Sequence, residues 1–468
     1  DLGVMRPSQH VLERTSVMIA KDNSYVEARF TAALPARGRN ILGREAAALL
    51  TESVPAVTQR CLLFRNLDAA SLQAHVLSVE DQEAVRSQLA GMGLCAFVAN
   101  GAVLPRASGA SDEPMAASEC VAFTSPEPLA VTITAPNRGP ITGMGIRRGV
   151  TLITGGGFHG KSTLLEALVK GVYNHVPGDG REFVCCDPTA VKVKAEDGRS
   201  VQGSDISTFI RAEAMPFARS TSSFSTRDAS GSTSQASGMV EAVEAGSTML
   251  LVDEDVSASN LLSRSTAMAQ LVPEAREPIS TFNTKVRALF GEHGVSTILV
   301  IGGSGDFLSE ADTVLMMDTY APHDVTARAA EIAATNPAVP RVAFGAVCRR
   351  APQRSSFQPL LGTKVRVPTM REVFFGDERL DLQHVEQIVE KGQAQFISDM
   401  LLCLGRRYLA GPAAAAPLGE LLDRLLADVA SGGLDAVNGE GKGDLTLPRK
   451  QELAAAINRL RTLVVSRA

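Results

Sequence analysis

The sequence predicts an α/β core over residues 126–332, an N-terminal α+β domain over 1–125 and a mostly helical C-terminal region over 333–468. Three observations predict it. From residue 129 short apolar runs alternate with helical stretches, the mark of a largely parallel sheet. One run, 149–154, leads into a glycine cluster that opens a helix. Another, 248–253, ends in three consecutive acids, Asp253, Glu254 and Asp255.

The elements follow in order. Residues 44–53 carry Ala46, Leu49 and Leu50 on one helical face, and 80–91 form a second helix that Gly91 ends. Residues 94–99 read as a buried strand, and 105–119, rich in Ser, Ala, Pro and Asp, as a surface loop. Strands are expected at 129–134, 149–154, 183–186, 248–253, 297–301 and 313–318, with helices at 161–173 and 236–245. Beyond residue 330 strands thin out, and 382–404, 418–429 and 449–464 read as helices joined near 413–416 and 431–433.

Composition bounds the function. With 468 residues the chain exceeds one ordinary core, and 45% apolar with 21% charged residues fits a globular protein. A net charge of −5 excludes a wholly basic polyanion binder, so any such site is a local patch. Aromatics are only 4%, which argues against nucleic-acid binding by stacking alone. The seven cysteines form no C-x-x-C pair, so zinc is not expected and small reduced core residues are. No apolar run is long enough for a membrane span.

Gly155, Gly156, Gly157, Phe158, His159, Gly160, Lys161 and Ser162 match G-x-x-x-x-G-K-[ST], the phosphate-cradling loop, between a strand and a helix that Thr163 continues. Glycines let the backbone point N–H groups inward, and the helix N-terminus adds partial positive charge. Lys161 is positioned for the β- and γ-phosphates of ATP and Ser162 for Mg²⁺. A strand beside the loop strand would bring Asp253 to the metal and Glu254 to the attacking water. Asp255, on the alternate side, is expected to be structural.

Between these motifs lie Ser230, Gly231 and Ser232, which resemble the LSGGQ signature of ABC ATPases, with Gln235 further on. Ser230 stands 23 residues before Asp253, a spacing that also resembles an ABC domain. In that fold the segment serves the γ-phosphate held by a second copy, so a homodimer is expected. The competing reading is a flexible Ser-rich linker over 220–237. The strand 297–301 leads to Gly302, Gly303, Ser304, Gly305 and Asp306, without the switch His usual there; Ser304 or Asp306 must substitute. For the Q-loop, Gln202, 41 residues after Lys161, and Asp205 are equal candidates. Phe123 is a candidate to stack on adenine, against core packing.

Residues 158–165, 173–180, 194–200 and 302–306 resemble the "ATPase of the ABC class" family of bacteria and kinetoplastid mitochondria. The resemblance runs from about Phe30 to Ile332. It implies a homodimeric ATPase whose paired N-terminal domains form a basic opening for RNA, worked by ATP. It further implies a mitochondrial location, or a cytoplasmic one for a bacterial member, and an RNA-binding or RNA-editing complex as partner.

The residues give such a site some support. Over 29–65 six arginines face only Glu45 and Glu52, and Arg37, Arg39, Arg44, Arg60 and Arg65 are the candidate phosphate contacts. A second basic stretch, 341–371, holds seven Arg and Lys with no acid and reads as an exposed arm or a solvated linker. No RRM, KH or zinc-knuckle pattern occurs, so binding dominated by phosphates and sensitive to salt is expected. The alternative function is a P-loop kinase of a small molecule or nucleoside, which would not need Ser230. An SMC-type ATPase lacks its heptad arms here.

Overall fold

The computed structural model describes residues 2–467 except 215–219, 336–338, 358–364 and 412–415. The joint expected near 413–416 lies mostly outside the described residues.

The central sheet has six strands in the order Val191–Val193, Met249–Asp253, Ser296–Val300, Val150–Gly155, Thr313–Asp318, Ala321–Asp324. The first five run parallel and the last turns back antiparallel. Both faces are covered, so these strands are apolar throughout rather than alternating. On one side Ile153, Leu251, Ile298 and Leu315 pack against Leu164, Leu165 and Leu168 of the helix Lys161–Lys170. On the other, Leu152, Leu250, Val252 and Leu299 pack with Met239 and Val240 of the helix Gly231–Glu244 and with Phe282 and Leu289. One expectation is corrected. The acid-bearing strand is not beside the loop strand, because Ser296–Val300 pairs with both.

A second, antiparallel sheet has the order Ala130–Ala135, Gly139–Arg147, Leu94–Ala99, Val184–Cys186. The run 183–186, expected among the parallel strands, instead joins Leu94–Ala99 here. One sheet thus unites residues from both sides of position 125. Its far face packs on Val85 and Leu89 of the helix Ala69–Leu89. That helix starts a full three turns before residue 80, where Asp68 caps it by accepting from Ala70 N–H and Ser71 N–H. Part of the loop expected over 105–119 is a short hairpin, Arg106–Ser108 with Ser111–Pro114.

The C-terminal region carries a three-stranded sheet that periodicity did not reveal, Arg366–Thr369, Glu372–Phe375 and Glu378–Asp381. It shares a core with the helices Lys391–Cys403, Leu418–Gly432 and Lys450–Asn458. The N-terminal segment forms a strap. His10–Val11 pairs with Asn174–His175, while Thr15 N–H donates to Leu445 O and Leu447 N–H to Glu13 O. Beyond the strap an arm leaves the body: a hairpin, Ala36–Arg37 with Asn40–Ile41, and a helical run from Gly43 to Leu62 in which only Ala46 is buried.

Candidate nucleotide site

The phosphate loop crosses from strand to helix through backbone that only glycine tolerates at two points. Gly155 has φ +134°, and a Cβ there would lie 2.3 Å from Met317 O. Gly160, at φ +95°, caps the helix. Lys161 Nζ donates to Gly155 O at 2.8 Å and Gly156 O at 2.7 Å, which folds the ammonium back onto its own loop. Ser162 is exposed at the first helical turn. His159 turns away from the loop mouth: its Nδ1 accepts from Thr319 N–H at 2.8 Å. The same nitrogen lies 3.0 Å from the Asp318 carboxylate.

At the end of Met249–Asp253 the Asp253 side chain is buried. Burial pushes its carboxyl above the ordinary aspartate range, offset in part by the hydrogen bond from Asp255 N–H at 3.2 Å. An ionised carboxylate here needs a cation. The Asp253 carboxylate and the Ser162 hydroxyl would supply oxygen donors of the kind that suits Mg²⁺. Asp255 is exposed in the 3-10 turn Glu254–Val256, where the strand and its alternation have already ended.

Glu254 is held from an unforeseen direction. Its Oε2 accepts from Gly302 N–H and from Gly303 N–H, the latter at 3.1 Å. The interposed strand Ser296–Val300 delivers these two peptides to the carboxylate. They occupy the place where a switch histidine was sought. Ser304 does not reach Glu254; its hydroxyl donates to Asp306 Oδ2 at 2.9 Å and lies 3.3 Å from Ser263 Oγ, bracing the turn from behind.

Ser230 is exposed at the N-terminus of Gly231–Glu244, with Ser232 Oγ 3.4 Å and Thr233 Oγ1 3.1 Å from its hydroxyl. The segment is therefore an ordered turn and helix rather than a loose linker. Gln235 is wholly buried and pins it: Nε2 donates to Ser257 Oγ at 2.9 Å, and Oε1 accepts from Ala258 N–H at 2.8 Å. A Cβ on Gly231 would meet Ala195, Asp197 and Ala258, so the neighbours of this turn are the loops after two sheet strands, not the phosphate loop of the same chain.

Other expected residues lie elsewhere. Gln202 Nε2 donates to Ser200 Oγ and Gln202 O accepts from Arg350, while Asp205 caps its own turn at Ser207 and faces Arg467. Both sit against the C-terminal region, and neither contacts the phosphate loop. The loop that does link the parts is 194–198: Ala195 N–H donates to Val256 O, and Glu196 N–H to Ser234 Oγ. Its signal was the strand end itself, as Val191–Val193 runs parallel beside the acid strand. Phe123 is 1% exposed and belongs to the core, so it cannot stack on a base.

The two basic stretches part company. Arg37, Arg39, Arg44, Arg60 and Arg65 are all exposed on the arm and have no partner among the described residues. The stretch 341–371 is not a free patch. Arg350 is 3% exposed and pairs with Glu244, Arg341 pairs with Glu310, Arg349 with Glu420, and Arg354 and Arg371 donate to Gly405 O and Val385 O.

The P-loop domain that defines the ABC ATPases matches residues 68–349. The chain belongs to the ABC ATPase family. The N-terminal domain of the "ATPase of the ABC class" proteins matches 1–65, and the MRB1590 C-terminal domain matches 364–466, so each part of this ABC ATPase has a counterpart. The uncharacterized protein MJ1628 of Methanocaldococcus jannaschii is 28% identical over 223 residues, 43% of this chain. The ABC ATPase thus spans about half of that relative, 48% of its length. Similar solved structures include cbiO1 of Clostridium perfringens, from the ABC transporter complex cbiONQ (11% identity, 49% of this chain and 87% of that one, TM-score 0.29). The ATP-binding cassette MJ1267 in its ADP conformation is another (13% identity, 43% of this chain and 89% of that one, TM-score 0.26). Among the described residues no helix is long and apolar enough to cross a membrane.

Proposed function

We propose that this ABC ATPase binds and slowly hydrolyses ATP between two copies of itself, and that nucleotide controls the grip of its N-terminal arms on RNA. The observation that carries the RNA reading is the set of five exposed arm arginines without partners among the described residues, in a chain that pairs buried arginines such as Arg199 and Arg350. Such guanidiniums suit phosphate oxygens, and the absence of a base-reading motif makes the contact one to the backbone.

The chemistry rests on residues already placed. Lys161 leaves the carbonyls of Gly155 and Gly156 for β- and γ-phosphate oxygens, and the loop N–H groups share that charge. Ser162 and Asp253 would hold the magnesium, which when bound neutralises charge across the triphosphate. Glu254, with one oxygen fixed by Gly302 and Gly303, keeps the other for the proton of a water. Ser230 and Gly231, turned away from their own loop, supply hydroxyl and N–H donors to the partner's γ-phosphate. The kinase alternative loses its footing with the family match, since the signature turn it does not need is built and pinned by Gln235.

The host assembly we propose is an RNA-binding complex, which the MRB1590-type C-terminal domain supports, and its mitochondrial setting is proposed from the family resemblance of the sequence alone. The deciding experiment is sedimentation of Glu254→Gln with and without Mg-ATP and a short RNA across salt. An ATP-dependent dimer that retains RNA at low salt is the expected result. A monomer with ATP, or indifference to RNA at every salt, overturns the corresponding half.

A further inference from the structure

Lys161, Ser162, Asp253 and Glu254 serve only the phosphate and metal side of the nucleotide site. In the sheet the loop strand Val150–Gly155 lies between Ser296–Val300, which leads to the acids, and Thr313–Asp318. The triphosphate end of a nucleotide must face the acids and the metal. Its base and sugar therefore leave on the opposite side, over the end of Thr313–Asp318.

At that end stand Thr319 and Tyr320, with φ +48° and +67°. Two consecutive non-glycine residues in the left-handed region are costly and persist only where their surroundings impose them. Here the two-residue hairpin that joins Thr313–Asp318 to Ala321–Asp324 imposes them, since so tight a turn needs positive φ at both central residues, and the phosphate loop ties the turn down. Thr319 N–H donates to His159 Nδ1 at 2.8 Å, and Tyr320 N–H donates to His159 O at 3.1 Å. The result sets the Tyr320 ring against Gly160: a Cβ on that glycine would lie 2.6 Å from Tyr320 Cδ1. Tyr320 is 42% exposed, so its ring packs on the loop while much of the residue meets solvent. Phe123, the aromatic the sequence offered for the base, is buried and out of play.

We propose that Tyr320 is the base-stacking residue of the nucleotide site, and that the strained Thr319–Tyr320 turn, tied to His159, holds it ready for a purine ring. This also gives His159 a positioning role: its ring and carbonyl fix the turn. The inference rests on the nucleotide reading of the phosphate loop.

The test compares full-length wild type with Tyr320→Leu and Tyr320→Phe by calorimetric titration with Mg-ATP and with inorganic tripolyphosphate. Leu fills the space over Gly160 without a π face, and Phe keeps the face. The expected result is ATP binding about tenfold or more weaker in Tyr320→Leu, near wild type in Tyr320→Phe, and tripolyphosphate binding unchanged in both. Unchanged ATP affinity in Tyr320→Leu overturns the proposal. Equal losses of ATP and tripolyphosphate also overturn it, because they assign the ring to supporting the loop. Wild type that binds neither ligand would instead refute the nucleotide reading itself.

Discussion

At the scale of single residues, the site differs from its sequence reading in what holds the general base. Two peptide N–H groups at Gly302 and Gly303 grip Glu254, where a side-chain switch was sought. Replacing Glu254 with Gln keeps the size and removes the base. Steady-state phosphate release should fall by roughly 10²–10⁴-fold with ATP affinity retained. The grip makes a second prediction. Gly303→Ala keeps its N–H, and a Cβ there meets nothing within 4 Å, so activity should persist. Gly303→Pro deletes the donor and should lower kcat while leaving the ATP Kd in place; equal rates for the two variants would show that the peptide bond does not position the carboxylate. The backbone clamp was invisible beforehand because any residue but proline supplies an N–H. Only the fold says which carboxylate it meets.

Among the elements, a cross-brace joins the phosphate-loop helix to the C-terminal region. Lys192, on the edge strand Val191–Val193, pairs with Glu166 of Lys161–Lys170 and with Glu386 at 2.7 Å, and Lys194 pairs with Glu386 at 2.5 Å. Burial alone would raise the Glu386 carboxyl, but Lys192 and Lys194 outweigh it and hold it below the ordinary glutamate range. A carboxyl depressed in the fold stabilises above its unfolded value, and that contribution fades as pH falls through the native value. Glu386→Gln should therefore cost about 1–3 kcal/mol near pH 7, less than the roughly 3–5 kcal/mol for breaking a fully buried pair, because Glu166 remains with Lys192. In urea titrations the gap between wild type and variant should close as the medium becomes acidic. A gap that is constant with pH would mean packing, not charge, is at stake. The elements also show what could be read in advance. Strand, loop and helix around Lys161 were legible because all three signals are contiguous. The sheet at Arg366–Asp381 was not, because its strands are four residues long and one holds Pro368. Gln202 was misplaced because spacing along the chain does not tell which side of the molecule a hairpin faces, and Arg350 and Val465 claim that hairpin for the C-terminal region.

For the whole molecule the arm decides the outcome. Residues 43–62 bury only Ala46, so the arginines there are carried out from the body instead of being consumed by it. By contrast, the richer stretch 341–371 spends its charge on Glu244, Glu310 and Glu420. If the arm touches single-stranded RNA phosphates, each of Arg37, Arg39, Arg44, Arg60 and Arg65 changed to Ala should lower the slope of log affinity against log salt by about 0.7. Changing Arg349 and Arg341 should leave that slope alone. A slope that does not respond to the arm substitutions places the nucleic acid elsewhere.

The strap sets a timetable for biosynthesis. Thr15 N–H meets Leu445 O, 430 residues further along the chain. Its neighbour His10 can pair with His175 once the first third has emerged from the ribosome, but the second hold must wait for almost everything else. Contacts of such long range are slow to close, and until they do a nascent chain carries its leading end half-fastened. A translational stall between residues 330 and 440 should therefore yield a product whose residues 12–20 are open to protease, although the nucleotide loop and both strands that flank it are already made.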